Sequence, residues 1–334
     1  MRHQRIPPES QPVPSISGHP NPNPSLCRYD APPAHRCAIV GIVGRTNVGK
    51  STLINRLVGE KVSIVSPVAQ TTRNTIRGIL TEPRGQLVFV DTPGLHKSEG
   101  QLGTLMNRMA RQAAANVDVL LVVFDDSHAP EMEDEGWMRR VLFADQPCVY
   151  FLNKIDRPPS NTGFYRERWE QIQREKEKTR ALPCLRGSSQ SGEGIPELLD
   201  VLFALAAPTE ALLYPADIVT DYPRRLAIAD AIREKLLEKV YEELPHAIGV
   251  RVDEIQETST VWKVSATILV NRSSQKGLVI GPKGRLLRYV KRKAEPEIGD
   301  LFGVAVELEL WVKVEKDWAK NFWHLRQMGY AGER

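Results

Sequence analysis

The sequence predicts an α/β chain: a doubly wound, mostly parallel sheet followed by a smaller α+β domain. Three observations carry this. From Cys37 to about residue 205, short apolar runs alternate with helical stretches. Between the first run and the first helical stretch stands Gly44-Arg45-Thr46-Asn47-Val48-Gly49-Lys50-Ser51, which reads G-x-x-x-x-G-K-S. After Leu205 the pattern changes to one long helix, two strands, a glycine-containing helix–turn–helix and a last strand. At 334 residues the chain exceeds one ordinary domain.

The apolar runs Ala38–Val43, Gln86–Val90, Val117–Phe124, Pro147–Leu152 and Leu182–Leu185 are predicted strands. Helices are expected between them at Lys50–Val58, Leu102–Ala115, Glu131–Phe143, Arg166–Thr179 and Ile195–Leu205. Thr75–Leu80 is also strand-like and would pair with Gln86–Val90 through the turn Pro83-Arg84-Gly85. Sheets of this kind bind ligands at the carboxyl ends of their strands.

The motifs sit at those ends. Strand, glycine-rich turn and helix is the context a phosphate-binding loop needs: backbone N–H groups converge on phosphate oxygens and the helix dipole favours them. The phosphate-binding candidates are Gly44, Asn47, Val48, Gly49, Lys50, Ser51 and Thr52, with Gly94 meeting the outermost phosphate. Lys50 would reach the outer phosphates and Ser51 a magnesium ion. Asp91-Thr92-Pro93-Gly94 follows a strand and reads D-x-x-G, with Asp91 in the magnesium shell. Asn153-Lys154-Ile155-Asp156 follows another and reads N-K-x-D. A carboxylate at Asp156 accepts from the ring N–H and amino group of guanine, a donor pair that adenine lacks, so the expected ligands are GTP and GDP. Ser188, Ser189 and Gln190 fall where a last guanine-contacting loop belongs.

Two segments are expected to respond to the outermost phosphate: Gln70, Thr71, Thr72 and Arg73, and then Asp91, Thr92, Pro93, Gly94 and Leu95. Thr72 is the first choice for magnesium, with Thr71 the alternative. A water-orienting glutamine often follows the D-x-x-G glycine, but here the residue is Leu95, whose side chain cannot orient water. His96 is the nearby titratable group. The amide oxygen of Asn47 is a candidate holder of a potassium ion, with plain loop hydrogen bonding as the alternative.

In the second part, Ala207–Thr209 and Tyr214–Asp217 read as a linker, and Arg224–Leu244 as a helix ended by Pro245 with one solvated face. Gly249–Ile255 and Val261–Val270 are antiparallel strand candidates, Val304–Val314 a further strand, and a helix starts at Trp318. Between them, Gly281-Pro282-Lys283-Gly284 forms G-x-x-G between two helical stretches. This order is that of a KH module of the type II arrangement, whose G-x-x-G loop approaches the backbone of about four single-stranded nucleotides. Lys276, Val279, Ile280, Gly281, Pro282, Lys283, Gly284, Arg285 and Arg288 are the candidate RNA-binding residues, with Val279 and Ile280 as an apolar floor for bases. Lys291, Arg292 and Lys293 extend the basic run.

Composition sets wider bounds. The net charge is +4, too small a sum to assign a partner. Cys27, Cys37, Cys148 and Cys184 form no metal-ligand spacing, and reduced cytosolic thiols are expected. No apolar stretch approaches the roughly 20 residues of a membrane helix. Residues 1–36 are proline-rich, poor in apolar side chains, and expected to be a disordered extension; an organellar targeting segment is the lesser alternative. The expected division is therefore 1–36 tail, 37–206 nucleotide domain, 207–216 linker and 217–334 KH domain.

From Cys37 onward the chain resembles the Era family of GTPases, in the stretches Asn47–Ser51, Gln70–Arg73, Asp91–His96, Asn153–Asp156, Gln275–Gly284 and Leu308–Val314. The resemblance implies slow GTP hydrolysis without a catalytic glutamine, Mg2+ as cofactor, and potassium stimulation through Asn47. It implies binding to the single-stranded 3′ end of 16S ribosomal RNA, a role in maturation of the small ribosomal subunit, and a cytoplasmic monomer with peripheral contact to the inner membrane. Two positions depart from the family pattern: Ser189 stands where alanine is usual, and Thr46 where proline is common.

Overall fold

The structure, a computed structural model, describes residues 35–63, 65, 76–91, 116–240 and 244–329. The predicted helix at 102–115, the segment 70–73 and residues 92–95 lie outside these.

The first sheet has β1 (His35–Val43), β2 (Ile76–Glu82), β3 (Gly85–Asp91), β4 (Val119–Asp125), β5 (Cys148–Asn153), β6 (Cys184–Arg186) and β7 (Ala207–Thr209). Its order is β2-β3-β1-β4-β5-β6, with β7 paired to β1. β2 is antiparallel to β3 and β7 to β1; the other pairings are parallel. Every residue of β4 and β5 is buried, as expected of central strands covered on both faces. Alternation along β4 divides the core. Val119, Leu121 and Val123 pack under α1 (Lys50–Val58) and α4 (Ile195–Leu205), while Leu120, Val122 and Phe124 pack under α2 (Met132–Leu142) and α3 (Thr162–Glu175). The register aligns Ile42 with Asp91 and Asp125 with Asn153, so the strand ends bearing the motifs share one edge.

The second sheet is β10 (Ala305–Val314), β9 (Val261–Val270), β8 (Gly249–Glu257), with β8 antiparallel and β10 parallel to β9. A parallel pair needs a long crossover. Here α7 (Ser273–Ile280), the G-x-x-G turn and α8 (Arg285–Phe302) supply it and pack with α5 (Arg224–Leu237) on one face of the sheet. On the other face Trp318, Leu325 and Met328 cover Leu269.

Several expectations need correction. β1 begins at His35, inside the segment read as tail, and Ala207–Thr209, read as linker, is a strand. α5 stops at Leu237, and Leu244–Ala247 is a separate short helix, α6. The terminal segment opens as a single 3-10 turn at Trp318–Lys320 before α9 (Phe322–Gln327). Most consequential, α5 has no freely solvated polar face: Asp230, Arg233, Glu234 and Lys235 are buried with its apolar residues. Glu234 meets Lys61 from the nucleotide domain, Lys235 meets Glu234, Glu238 and Glu297, and Asp230 accepts the Tyr222 hydroxyl, contacts that helical spacing of apolar residues alone could not show.

Candidate guanine-nucleotide site and G-x-x-G face

The loop after β1 wraps the start of α1. Gly49 has φ 101, a left-handed conformation, and a Cβ there would stand 2.4 Å from Asn153 Nδ2. Asn47 is also left-handed, at φ 62, and exposed. Lys50 is buried, and its Nζ donates to the carbonyls of Gly44 at 3.2 Å and Arg45 at 2.7 Å. Burial pushes its pKa down to about 8, with the Asp91 carboxylate pulling the other way. Val48 is wholly buried, which leaves its backbone as the part facing the loop. Thr52 follows on the first turn of α1, half-buried.

Asp91, fully buried at the end of β3, receives Ser51 Oγ at 3.0 Å and Ser63 Oγ at 2.9 Å on the same oxygen, Oδ2. The chemistry of this set, a carboxylate and a hydroxyl side by side, suits a hard cation such as magnesium. Gly94, Thr71 and Thr72, expected beside them, lie outside the described residues.

Asn153 is the buried centre of the base side. Its Nδ2 donates to Val48 O at 2.8 Å, and its Oδ1 accepts Ser189 N and Ser189 Oγ, both at 2.9 Å. It therefore joins the phosphate loop to the 188–190 loop. Lys154, at φ 68, donates its Nζ to Asn47 O and to Asp125 Oδ2, each at 2.6 Å. Burial pushes the Asp125 carboxyl up, but hydrogen bonds from Lys154 and Ser127 outweigh it and hold the pKa below the ordinary value. Asp156 is exposed, its nearest cation Arg157 at 3.9 Å. Ser188 Oγ accepts the amides of Gln190 at 3.2 Å and Ser191 at 3.1 Å, which shapes the turn. The hydroxyl of Ser189, at the position where alanine is usual, thus strengthens the loop's attachment.

Residues that no motif flagged complete the frame. Arg56 on α1 donates to Ser189 O at 3.2 Å and Gln190 O at 2.6 Å, and a cavity of about 440 Å³ lies against Thr52, Arg56, Ser189 and Gln190. Arg45 reaches Asp134 on α2 at 3.2 Å and Glu131, which caps that helix, at 3.1 Å. Burial raises the Asp134 carboxyl pKa against the opposing pull of the Glu131 amide and Arg45. No spacing in the sequence signals these contacts, since Arg56 meets Ser189 across 133 positions and Arg45 meets Asp134 across 89.

At the G-x-x-G face, Gly281 takes φ 72 with ψ 166, a conformation closed to side chains, and a Cβ would stand 3.0 Å from Leu286 N. Pro282 and Lys283 are exposed, Gly284 half-buried, and Lys276, Arg285 and Arg288 project to solvent. Val279 does not belong to this surface. It is wholly buried in the core of the second sheet, so it cannot floor a groove; Leu278, 62% exposed, is the apolar side chain at the surface beside half-buried Ile280. Among the described residues no helix is long and apolar enough to cross a membrane.

A nucleotide-type loop at the switch point of a parallel sheet, joined to an N-K-x-D strand end and followed by a KH fold, defines a GTPase with a C-terminal KH domain. The profile described as 50S ribosome-binding GTPase matches residues 39–154, and that of the KH domain matches 243–319. The chain belongs to the GTPase Era family. It is 39% identical to GTPase Era of Nostoc sp. over 303 residues, covering 91% of this chain and 92% of the relative. It is 40% identical to that of Staphylococcus haemolyticus over 301 residues, covering 90% and 99%. Among solved structures, an Aquifex aeolicus Era variant bound to GDP·AlF4− superposes with TM-score 0.80 at 33% identity, covering 89% of this chain and 99% of that one. Era in complex with MgGDPNP and nucleotides 1506–1542 of 16S ribosomal RNA gives TM-score 0.81 at 32% identity, with the same coverage.

Proposed function

We propose that this GTPase is a nucleotide-driven switch that binds the single-stranded 3′ end of 16S ribosomal RNA through its KH domain. In this reading it acts as a cytoplasmic monomer in 16S rRNA processing and small-subunit assembly. The observation that carries it is a link between the two sites. The segment after α1, which runs toward residues 70–73, bonds to the KH helices: Lys61 to Glu234 and Glu297, and the Val65 amide to Glu234 at 3.2 Å. The Era relative solved with a 16S fragment supports the choice of RNA.

The residue roles follow from chemistry. The ammonium of Lys50 exchanges the Gly44 and Arg45 carbonyls for phosphate oxygens, aided by the N–H groups from Asn47 to Thr52 and of Gly94. Ser51, Asp91 and Thr72, or Thr71 in its place, hold magnesium, which neutralises phosphate charge when bound. Asp156 reads guanine, backed by Lys154, the 188–190 loop and Asn153 behind it. Leu95 cannot orient water, so basal turnover is slow, and Asn47 supports a potassium ion that adds positive charge near the phosphates. Lys276, Ile280, Gly281 to Arg285 and Arg288 contact RNA.

The test is GTP hydrolysis by the full chain with and without an oligoribonucleotide of the 16S 3′ end, in potassium and then in sodium. Stimulation by the RNA, present only in potassium, is expected. Turnover indifferent to both overturns the switch and leaves an RNA-binding scaffold that carries GTP.

A further inference from the structure

Asp91 Oδ2 accepts two hydroxyls, and only one of them belongs to a motif. Ser51 is part of the phosphate loop; Ser63, at 2.9 Å, lies in the irregular segment after α1. Ser63 is 2% exposed, unusual for a serine in a connecting segment. Its place is fixed by Asn55. Asn55 Oδ1 accepts the amides of Val62 and Ser63, each at 2.9 Å, and Asn55 Nδ2 donates to Ser63 O at 2.7 Å. Asn55 is four residues after Ser51, so both sit on one face of α1. One helix face thus delivers two hydroxyls to one carboxylate oxygen, Ser51 directly and Ser63 through a clamped backbone.

We propose that Ser63, clamped by Asn55, is a positioning residue for the magnesium ion of the bound nucleotide, acting through the Asp91 carboxylate. This rests on the reading of Asp91 as part of the magnesium shell. A carboxylate on a single side-chain stem rotates freely about its last bond. A hydroxyl donating to one oxygen fixes that rotation and leaves the other oxygen's direction set. The bond is charge-assisted, which makes it short and strong. Partners that hold metal-facing ligands typically change metal affinity about 10–100-fold when removed.

The experiment follows release of N-methylanthraniloyl-GDP from the full chain while Mg2+ is titrated, for wild type, Ser63→Ala and Asn55→Ala. Wild type is expected to release more slowly as Mg2+ rises. In Ser63→Ala the Mg2+ midpoint rises about 10–100-fold, while release in EDTA stays within about twofold of wild type. Asn55→Ala moves the midpoint in the same direction. A Mg2+-dependent wild type with an unmoved midpoint in Ser63→Ala overturns the role of Ser63 alone. So does release that accelerates equally in EDTA and in Mg2+, the mark of a purely structural serine. Wild-type release indifferent to Mg2+ instead overturns the magnesium reading of Asp91.

Discussion

Lys61 Nζ stands 2.6 Å from Glu297 Oε1, joining the segment after α1 to the helix that follows the G-x-x-G turn. The same ammonium lies 2.9 Å from Glu234 Oε1 on α5. Lys235 enters from the KH side, 2.9 Å from Glu234, 2.7 Å from Glu297 and 3.1 Å from Glu238. Burial works against the charge on Lys235, but its bonds to Glu297 and Glu234 outweigh it and lift its pKa above the ordinary lysine value.

Members of this network should differ sharply in weight. The side chain of Lys61 is 41% exposed and that of Glu234 only 6%. Lys61→Met should therefore cost about 1 kcal/mol, and less at high salt. Glu234→Ala leaves Lys235 with fewer partners and the Val65 amide with none of its Glu234 bond, and should cost about 3 kcal/mol. Urea unfolding of both variants checks the order, and equal losses would contradict it.

Lys50 should make nucleotide affinity depend on pH. Its folded pKa, about 8, lies below the lysine reference of about 10.4, so between these values the unfolded chain holds a proton that the folded chain has shed. This group's contribution to stability accordingly rises with pH across that window and is constant below it. Phosphates placed beside the amine restore its charge, so binding takes up a proton above about pH 8. GDP affinity should fall about tenfold between about pH 7 and about pH 9. Calorimetric titration at both pH values, with Lys50→Gln as the variant that loses the dependence, checks this; a pH-independent wild type would sink it.

Asn153 and Asp156 stand three residues apart and should respond oppositely to substitution. Asn153→Ala strands the Val48 carbonyl and the Ser189 amide, and should cost about 2–4 kcal/mol. Asp156→Asn alters an exposed carboxylate and should leave stability within about 0.5 kcal/mol, while nucleotide preference moves from GTP toward xanthosine triphosphate. Thermal melting and competition between the two nucleotides separate the effects. An Asp156→Asn protein that keeps its preference for GTP counts against the base assignment.

Much of the fold was legible because local chemistry and global arrangement agree. The apolar runs of β4 and β5 are too continuous for half-exposed strands, and glycine-lysine-serine before an amphipathic helix has few other uses. The missing parts are those where a side chain works at long range in sequence. Arg56 meets Ser189 across 133 positions and Lys61 meets Glu297 across 236, distances over which no spacing rule operates. The buried charges of α5 hid for the same reason, since a charged residue reads as solvated until its partner is known. Val279 was misplaced because a G-x-x-G pattern identifies the turn without giving the rotation of the helix before it.

β10 pairs in parallel with β9 along its whole length, from Ala305 to Val314, after a crossover that includes the G-x-x-G turn. Every residue of the nucleotide site lies before residue 191. Because synthesis runs from the N-terminus and domains fold as units, a growing chain has all its guanine-site residues well before its RNA-binding sheet can close. A growing copy thus emerges from the ribosome with its guanine-site residues complete while the strand that closes its KH sheet is still to be made.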